Sequence, residues 1–316
     1  MANIQETLRL PAVPPDRPAL PAHNDSRLRH LCLVLPVGYS TIFFVGPLLF
    51  LVALGFSVVE NYQVVWAFSF ANYIDISKHL FAQSNYGLAI AQSLYVSVTT
   101  AIAAVLFCYP LVMAIAFAVP AKLQRLVLLL AIAPFWTSYI LRVYAWQILL
   151  AKRGIINTAA SAIGADWLQQ TAIYTQTATR IGLVHYLAPI LIVILYVAIS
   201  NIDRTLIEAA RELGATRWQA FRRVILPLSR LGIVLSLSFA TIISFGDVLS
   251  GSLLGGGAGR SALGSLPLFS NMIIREYASS TNLPRTSALA LILVAILVVI
   301  LVAGGAAADK AQRETG

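Results

Sequence analysis

At 316 residues, with 59% hydrophobic side chains, 11% charged ones and a mean hydropathy of +0.80, the chain is too apolar for a soluble domain of its size. Composition therefore places it in a membrane. The net charge of +9 invites nucleic acid as a partner, but the Lys and Arg residues lie in short segments between apolar runs rather than on one basic, aromatic-interleaved face, which excludes that class.

Residues 1–30 carry Pro11, Pro14, Pro15, Pro18 and Pro21 among mixed charges, and so few large apolar groups that ordering them would not be offset by burial; they are expected to form a disordered tail. The apolar run at 31–59 is about twice the length of a signal-peptide core, which makes it a retained span rather than a cleaved leader. About 20 residues cross a hydrocarbon core, and six runs qualify: 31–59, 87–119, 123–150, 180–202, 231–255 and 286–307. The expected fold class is an all-α membrane protein with six transmembrane helices over 31–307, followed by a short tail at 308–316. Pro36, Pro47, Pro110, Pro134 and Pro189 fall inside the runs and predict kinks, not lost spans. Cys32 and Cys108 have no metal-ligand spacing and read as apolar fillers without a disulfide.

Orientation follows from the basic residues on alternate sides. With the N-terminus inside, the inner segments hold fourteen Lys and Arg and the outer segments seven, leaving Arg142 within a span. Both termini are thus expected in the cytoplasm. The outer loops, roughly 60–86, 151–179 and 256–285, have room for short interfacial helices, and Trp66, Tyr73, Trp167 and Tyr174 suit the headgroup zone. Gly255, Gly256, Gly257 and Gly259 lack the arrangement of a phosphate-binding loop, so the chain is not expected to bind ATP itself.

Between the fourth and fifth runs lies a charged island, Asp203 to Arg230, with Arg204, Arg211, Arg217, Arg222, Arg223 and Arg230 against Asp203, Glu208 and Glu212. Asp203 is a candidate N-cap, and Leu206, Ala209, Ala210 and Leu213 share one face of a helix by their spacing. Gly214 suits the left-handed turn that ends such a helix, a second short helix is expected over 216–223, and Pro227 should break the chain before the fifth span. The plain alternative is a solvated basic loop that only obeys the orientation rule.

Glu208, Ala209 and Ala210, then Gly214, then Leu226 and Pro227 fall at the spacing E-A-A-x3-G-x9-I-x-L-P, with Val224 in the isoleucine position. This resembles the EAA loop of the permease subunits of ABC importers. The resemblance implies the type I importer permease fold in a bacterial inner membrane and docking of the island into a separate ATPase dimer that binds ATP and Mg. It also implies a second homologous permease and an extracytoplasmic solute-binding protein. Glu208 would anchor the contact by a charge-assisted hydrogen bond, beside Ala209, Ala210 and Gly214, with Trp218 and Phe221 buried in it.

Arg142 and Asp247 are the two charges set well inside apolar runs, a costly placement unless they pair or face a cavity. Counting roughly 1.5 Å of rise per residue puts them at similar depth, so a salt bridge is one expectation. The other is that Asp247 faces the translocation path and attracts a cation, with Trp136, Tyr139, Tyr144 and Trp146 offering aromatic faces. His185 reads as a helix-packing group. The segments 134–150, 154–157 and 244–256, and Asn282, Pro284 and Ser287 to Leu289, look like those of the spermidine/putrescine permease group, although Leu283 stands where that group has tryptophan. The resemblance implies a polyamine as solute; opines or amino-acid-like solutes, phosphonates and ferric iron remain open. So does a different class, an ion-gradient-driven transporter with Asp247 as the ion site. No residue pattern for chemistry on a substrate is present, so the chain is expected to be a transport subunit and not an enzyme.

Overall fold

The computed structural model describes residues 34, 36–61, 63–80, 86–164, 173–255, 268–280 and 282–313. The expected N-terminal tail, Cys32, Trp167 and the glycines at 256, 257 and 259 lie outside them.

The chain divides into two compact units, up to Leu51 and from Val52 onward. Helix α1, Pro36–Gly55, begins in the first of them. It carries a widened π turn at Thr41–Val45, where the Thr41 hydroxyl donates to the Val37 carbonyl at 2.8 Å. Val37, Ile42, Phe43 and Phe44 on this helix are exposed, an apolar surface that suits lipid.

In the second unit a small antiparallel pair, β1 (Val58–Glu60) and β2 (Gln63–Val65), leads to α2 (Ala71–Lys78). Then follow α3 (Tyr86–Phe117), α4 (Ala121–Ile132) with a tight turn at Ala133–Trp136, α5 (Tyr139–Leu150), α6 (Ile155–Ala162) and α7 (Gln176–Ser200). The island forms α8 (Arg204–Glu212) and α9 (Arg217–Leu228), and α10 (Arg230–Gly246), α11 (Leu249–Leu253), α12 (Phe269–Ser280) and α13 (Leu283–Arg313) complete the order.

Helices α3, α7 and α10 pack together, and α10 also packs on α13. Their shared core uses small residues beside leucines: Ala101, Ala104 and Cys108 of α3, Leu187, Leu191 and Leu195 of α7, and Ala240 of α10. Small side chains let apolar helices approach where lipid is as apolar as leucine and burial alone gives no preference. Gly232 of α10 shows the same logic, since a Cβ there would run into the Ala198 side chain of α7. Cys108 is buried and free. A second cluster joins Phe245, Phe269 and Leu289, and a third joins Val143, Leu150, Ala178 and Leu254. At one end Arg285 links three elements, reaching Asp75 of α2 at 3.2 Å and Glu276 of α12 at 3.5 Å from the start of α13.

Among the described residues four helices, α1, α3, α7 and α13, are each long and apolar enough to cross a membrane. The other two expected spans are broken. The run at 123–150 bends by 88° between Trp136 and Tyr139, and the run at 231–255 ends at Gly246, with Asp247 extended before α11. Of the five predicted kinks, the one at Pro134 coincides with a break, whereas Pro110 and Pro189 sit inside unbroken helices. Short helices occupy the three segments with room for them: α2, α6 and α12.

Candidate functional site

The island is built by capping. The Asp203 carboxylate accepts from the Thr205 N–H at 2.9 Å, which starts α8. Its hydrogen bonds to Thr205 hold the carboxyl below the usual carboxylate range, so the cap is intact at neutral pH and is lost as pH falls through that lowered range. Gly214 has φ +84°, the left-handed turn that reverses the chain, and a β-branched residue there would be strained although a Cβ would meet nothing. Thr216 and Gln219 then form a reciprocal capping box that starts α9. The expected end at 223 is passed: the helix widens into a π turn at Phe221–Ile225 and runs to Leu228. Pro227 does not make the break, because it lies in the first turn of a helical segment where its missing N–H costs nothing. The break comes at Ser229.

The site residues divide into two sets. Glu208, Ala209 and Gly214 are exposed, and Ala210 lines a groove of about 260 Å³ with Leu213, Ala215, Gln219, Ala220, Arg223 and Val224. Leu213 is 89% exposed and Trp218 66%. Phe221 belongs elsewhere: it is half-buried, edge-on to Tyr109 of α3 at 6.1 Å, with Trp218 stacked on its outer face at 5.3 Å. Leu213, which the sequence reading treated as part of a helical stripe, is thus the more prominent free apolar group; its place just before the turn glycine was the available signal.

A second constellation forms where the two broken spans meet. Tyr139, at the start of α5, donates to Asp247 Oδ1 at 2.6 Å and also bonds the Ser250 hydroxyl. Asp247 Oδ2 accepts from the Ser250 N–H at 2.9 Å, so this carboxylate caps α11 as well as receiving the tyrosine. Ser270 donates to the Asp247 carbonyl at 2.6 Å, and Asn271 to the Val248 carbonyl at 3.0 Å. The backbone groups freed by the break therefore find partners within the protein, the condition for irregular backbone at membrane depth.

Arg142 does not form the expected salt bridge with Asp247. It lies over the Tyr186 ring, 5.3 Å from the centroid, and Tyr186 in turn stacks on Tyr139 at 4.1 Å, so two tyrosine rings stand between the charges. The estimate of equal depth assumed straight helices, and both helices bend. Arg142 is only 9% exposed, and its Nε and Nη1 have no hydrogen-bond partner among the described residues. Trp146 donates to His185 Nδ1 at 3.0 Å, which accounts for both groups as a helix-packing pair between α5 and α7. Trp136 and Tyr144, 77% and 47% exposed, are not drawn into this cluster. Tyr186 and Ser250, which sequence reasoning missed, are central to it; an aspartate three residues before a serine, after a glycine, carries the capping signal that would have found Ser250.

Comparison with known proteins decides the class. The family described as the binding-protein-dependent transport system inner membrane component matches residues 38–309. This chain belongs to that family. It is 34% identical to the spermidine/putrescine transport system permease protein PotB of Haemophilus influenzae, over 72% of this chain and 77% of that one. It is 28% identical to the PotB of Escherichia coli, over 83% and 94% of the two chains. The inner membrane ABC transporter permease protein YdcU of Escherichia coli matches at 26% over 88% and 89%. Among solved structures, a bacterial alginate ABC transporter superposes with a TM-score of 0.67 at 20% identity, covering 92% of this chain and 96% of its counterpart, which establishes a shared fold. The chain is accordingly an ABC importer permease near the PotB group, with the several apolar helices of an inner-membrane protein.

Proposed function

We propose that this subunit forms, with a second homologous permease, the translocation path for a small organic cation of the polyamine class, driven by a separate ATPase dimer. In this reading α4 with α5 makes one bent span and α10 another, giving six with the four long helices, and both termini and the island, α9 included, face the cytoplasm. ATP and Mg belong to the ATPase, whose cleft receives the island through Glu208, Ala209, Ala210, Gly214, Leu213 and Trp218. Binding of ATP favours one orientation of the path and hydrolysis resets it, so the permease converts displacement of the island into alternating access. An extracytoplasmic binding protein delivers the solute at the opposite face.

The observation that carries the solute class is the chain-long similarity to PotB proteins, supported by the junction of the two broken spans. There Asp247 supplies negative charge, and the hydroxyls of Tyr139 and Ser250 beside it supply further oxygens, which together favour an ammonium group over an anion. Arg142, on the far side of the tyrosines, sets the polarity of the site by repelling a cation from that side.

Reconstitution tests the reading. Proteoliposomes holding both permeases and the ATPase, supplied with ATP and binding protein, are expected to take up radiolabelled spermidine. Uptake by this chain alone, driven by a proton or sodium gradient without ATPase, would overturn it in favour of the ion-driven class. ATP-dependent uptake of an opine, phosphonate or ferric iron in place of spermidine would keep the importer and replace the solute.

A further inference from the structure

The island joins the membrane domain at two ends, through α7 and the Arg204 bond to the Ala116 carbonyl of α3 at one, and at the other through the 64° bend between α9 and α10, centred on Ser229. Ser229 is fully buried, and its backbone, at φ −90° and ψ 2°, leaves the regular helix. Its hydroxyl proton is committed to the Leu226 carbonyl at 3.2 Å. A serine has one such proton, so the 2.7 Å contact between Ser229 Oγ and Tyr109 Oη is a bond donated by the tyrosine. The same Tyr109 ring meets the edge of Phe221 at 6.1 Å, and Phe221 carries the exposed Trp218.

One side chain of α3 therefore grips both ends of the stretch from Phe221 to Ser229. Between its two holds lies the π turn at Phe221–Ile225, a wide helical turn of the kind found at functional hinges. The phenol hydroxyl is not explained by packing: a buried hydroxyl in an apolar core is costly unless paired, and a phenylalanine would fill the same space. Its partner is the residue at which the chain bends.

We propose that Tyr109 and Ser229 are positioning residues for transport, which lock the island to α10 so that the two move as one lever. A displacement delivered at Trp218 is passed through Phe221 and Tyr109 to the bend, and α10 follows. Without the hydroxyl bond, the island swings about the π turn while α10 lags, and ATP is hydrolysed without moving solute. The inference rests on the importer reading.

The test uses the full complex in nanodiscs, with Cys32→Ser and nitroxide labels at Arg211→Cys and Leu235→Cys, one on the island and one on α10; buried Cys108 is left in place. Pulsed-resonance distances are read without nucleotide and after vanadate trapping. With Tyr109 present, one narrow distance is expected in both states. Y109F is expected to broaden it or add a second distance on trapping, S229A to do the same, and the double variant to go no further. An unchanged distribution in Y109F overturns the proposal. In parallel, radiolabelled spermidine taken up per ATP hydrolysed is expected to fall several-fold in Y109F while hydrolysis persists. A proportional fall in both would mark a structural role and also overturn it. A wild-type complex that assembles but takes up no spermidine would sink the polyamine reading alone, because the distance measurement needs no solute.

Discussion

Asp247 holds two jobs that pull in different directions. As a cap it accepts from Ser250 and from Tyr139, which fixes the break after α10; as a charge it draws cations to the tyrosine pair. Asparagine separates the two: its carbonyl oxygen can keep the cap on the Ser250 N–H while its amide donates to the Tyr139 oxygen, and it carries no charge. Exchanging a charged acceptor for a neutral partner costs about 1 kcal/mol, too little to unfold a domain of this size. Asp247→Asn is therefore expected to assemble normally by co-purification with its partners, while the concentration of spermidine needed for half-maximal uptake rises roughly tenfold, the effect of removing about 1.4 kcal/mol of electrostatic attraction. Loss of expression or assembly instead would show that the cap is the dominant role. Arg142 poses the opposite problem, a charge with an aromatic neighbour but with Nε and Nη1 unpartnered among the described residues. Its position was visible in the sequence; its separation from Asp247 was not, since that depends on bends made by backbone breaks.

At the scale of elements, the island was the most legible part of the chain. Asp203, Gly214 and Thr216 each encode local geometry through a cap or a left-handed turn, and local geometry needs no knowledge of neighbours. The π turn and the bend at Ser229 were not legible, because they are set by what α3 presents to them, and nothing local marks Tyr109 as that partner. The two broken spans were hidden for a related reason: hydropathy averages over Thr137, Ser138 and Gly246, whose polar or small side chains permit a break but do not compel one. The division of labour between Trp218 and Phe221 shows the same limit, since spacing alone cannot tell an inward aromatic from an outward one. Leu213 gives the sharper test of docking. Standing 89% exposed on a charged knob, it has no packing role to lose. Leu213→Ala should leave the permease's thermal unfolding unchanged yet weaken ATPase association by about 1–2 kcal/mol, a five- to thirtyfold rise in Kd by titration. Unchanged affinity would remove this face of α8 from the contact.

For the whole molecule, the proposed topology turns on whether the bent α4–α5 pair and the interrupted α10–α11 segment each cross the membrane once. If α4 with α5 makes one span and α10 another, the segment around Lys152 and Arg153 lies on the opposite side from the island, and the end near Asp75, Glu276 and Arg285 lies with Lys152. If either pair instead dips and returns, every later segment changes side, and the excess of Lys and Arg shifts with it. The positive-inside rule opposes that outcome, because re-entry of the first pair would place the six arginines of the island outside. Single cysteines at Lys152, Arg211, Arg275 and Lys310, introduced after Cys32→Ser, separate the cases in intact cells treated with a membrane-impermeant maleimide. Lys152→Cys and Arg275→Cys are expected to label from outside, and Arg211→Cys and Lys310→Cys only after the membrane is opened. Labelling of Arg211→Cys in intact cells would put the island on the wrong side of the membrane for a cytoplasmic ATPase, and the docking role would fall with the topology.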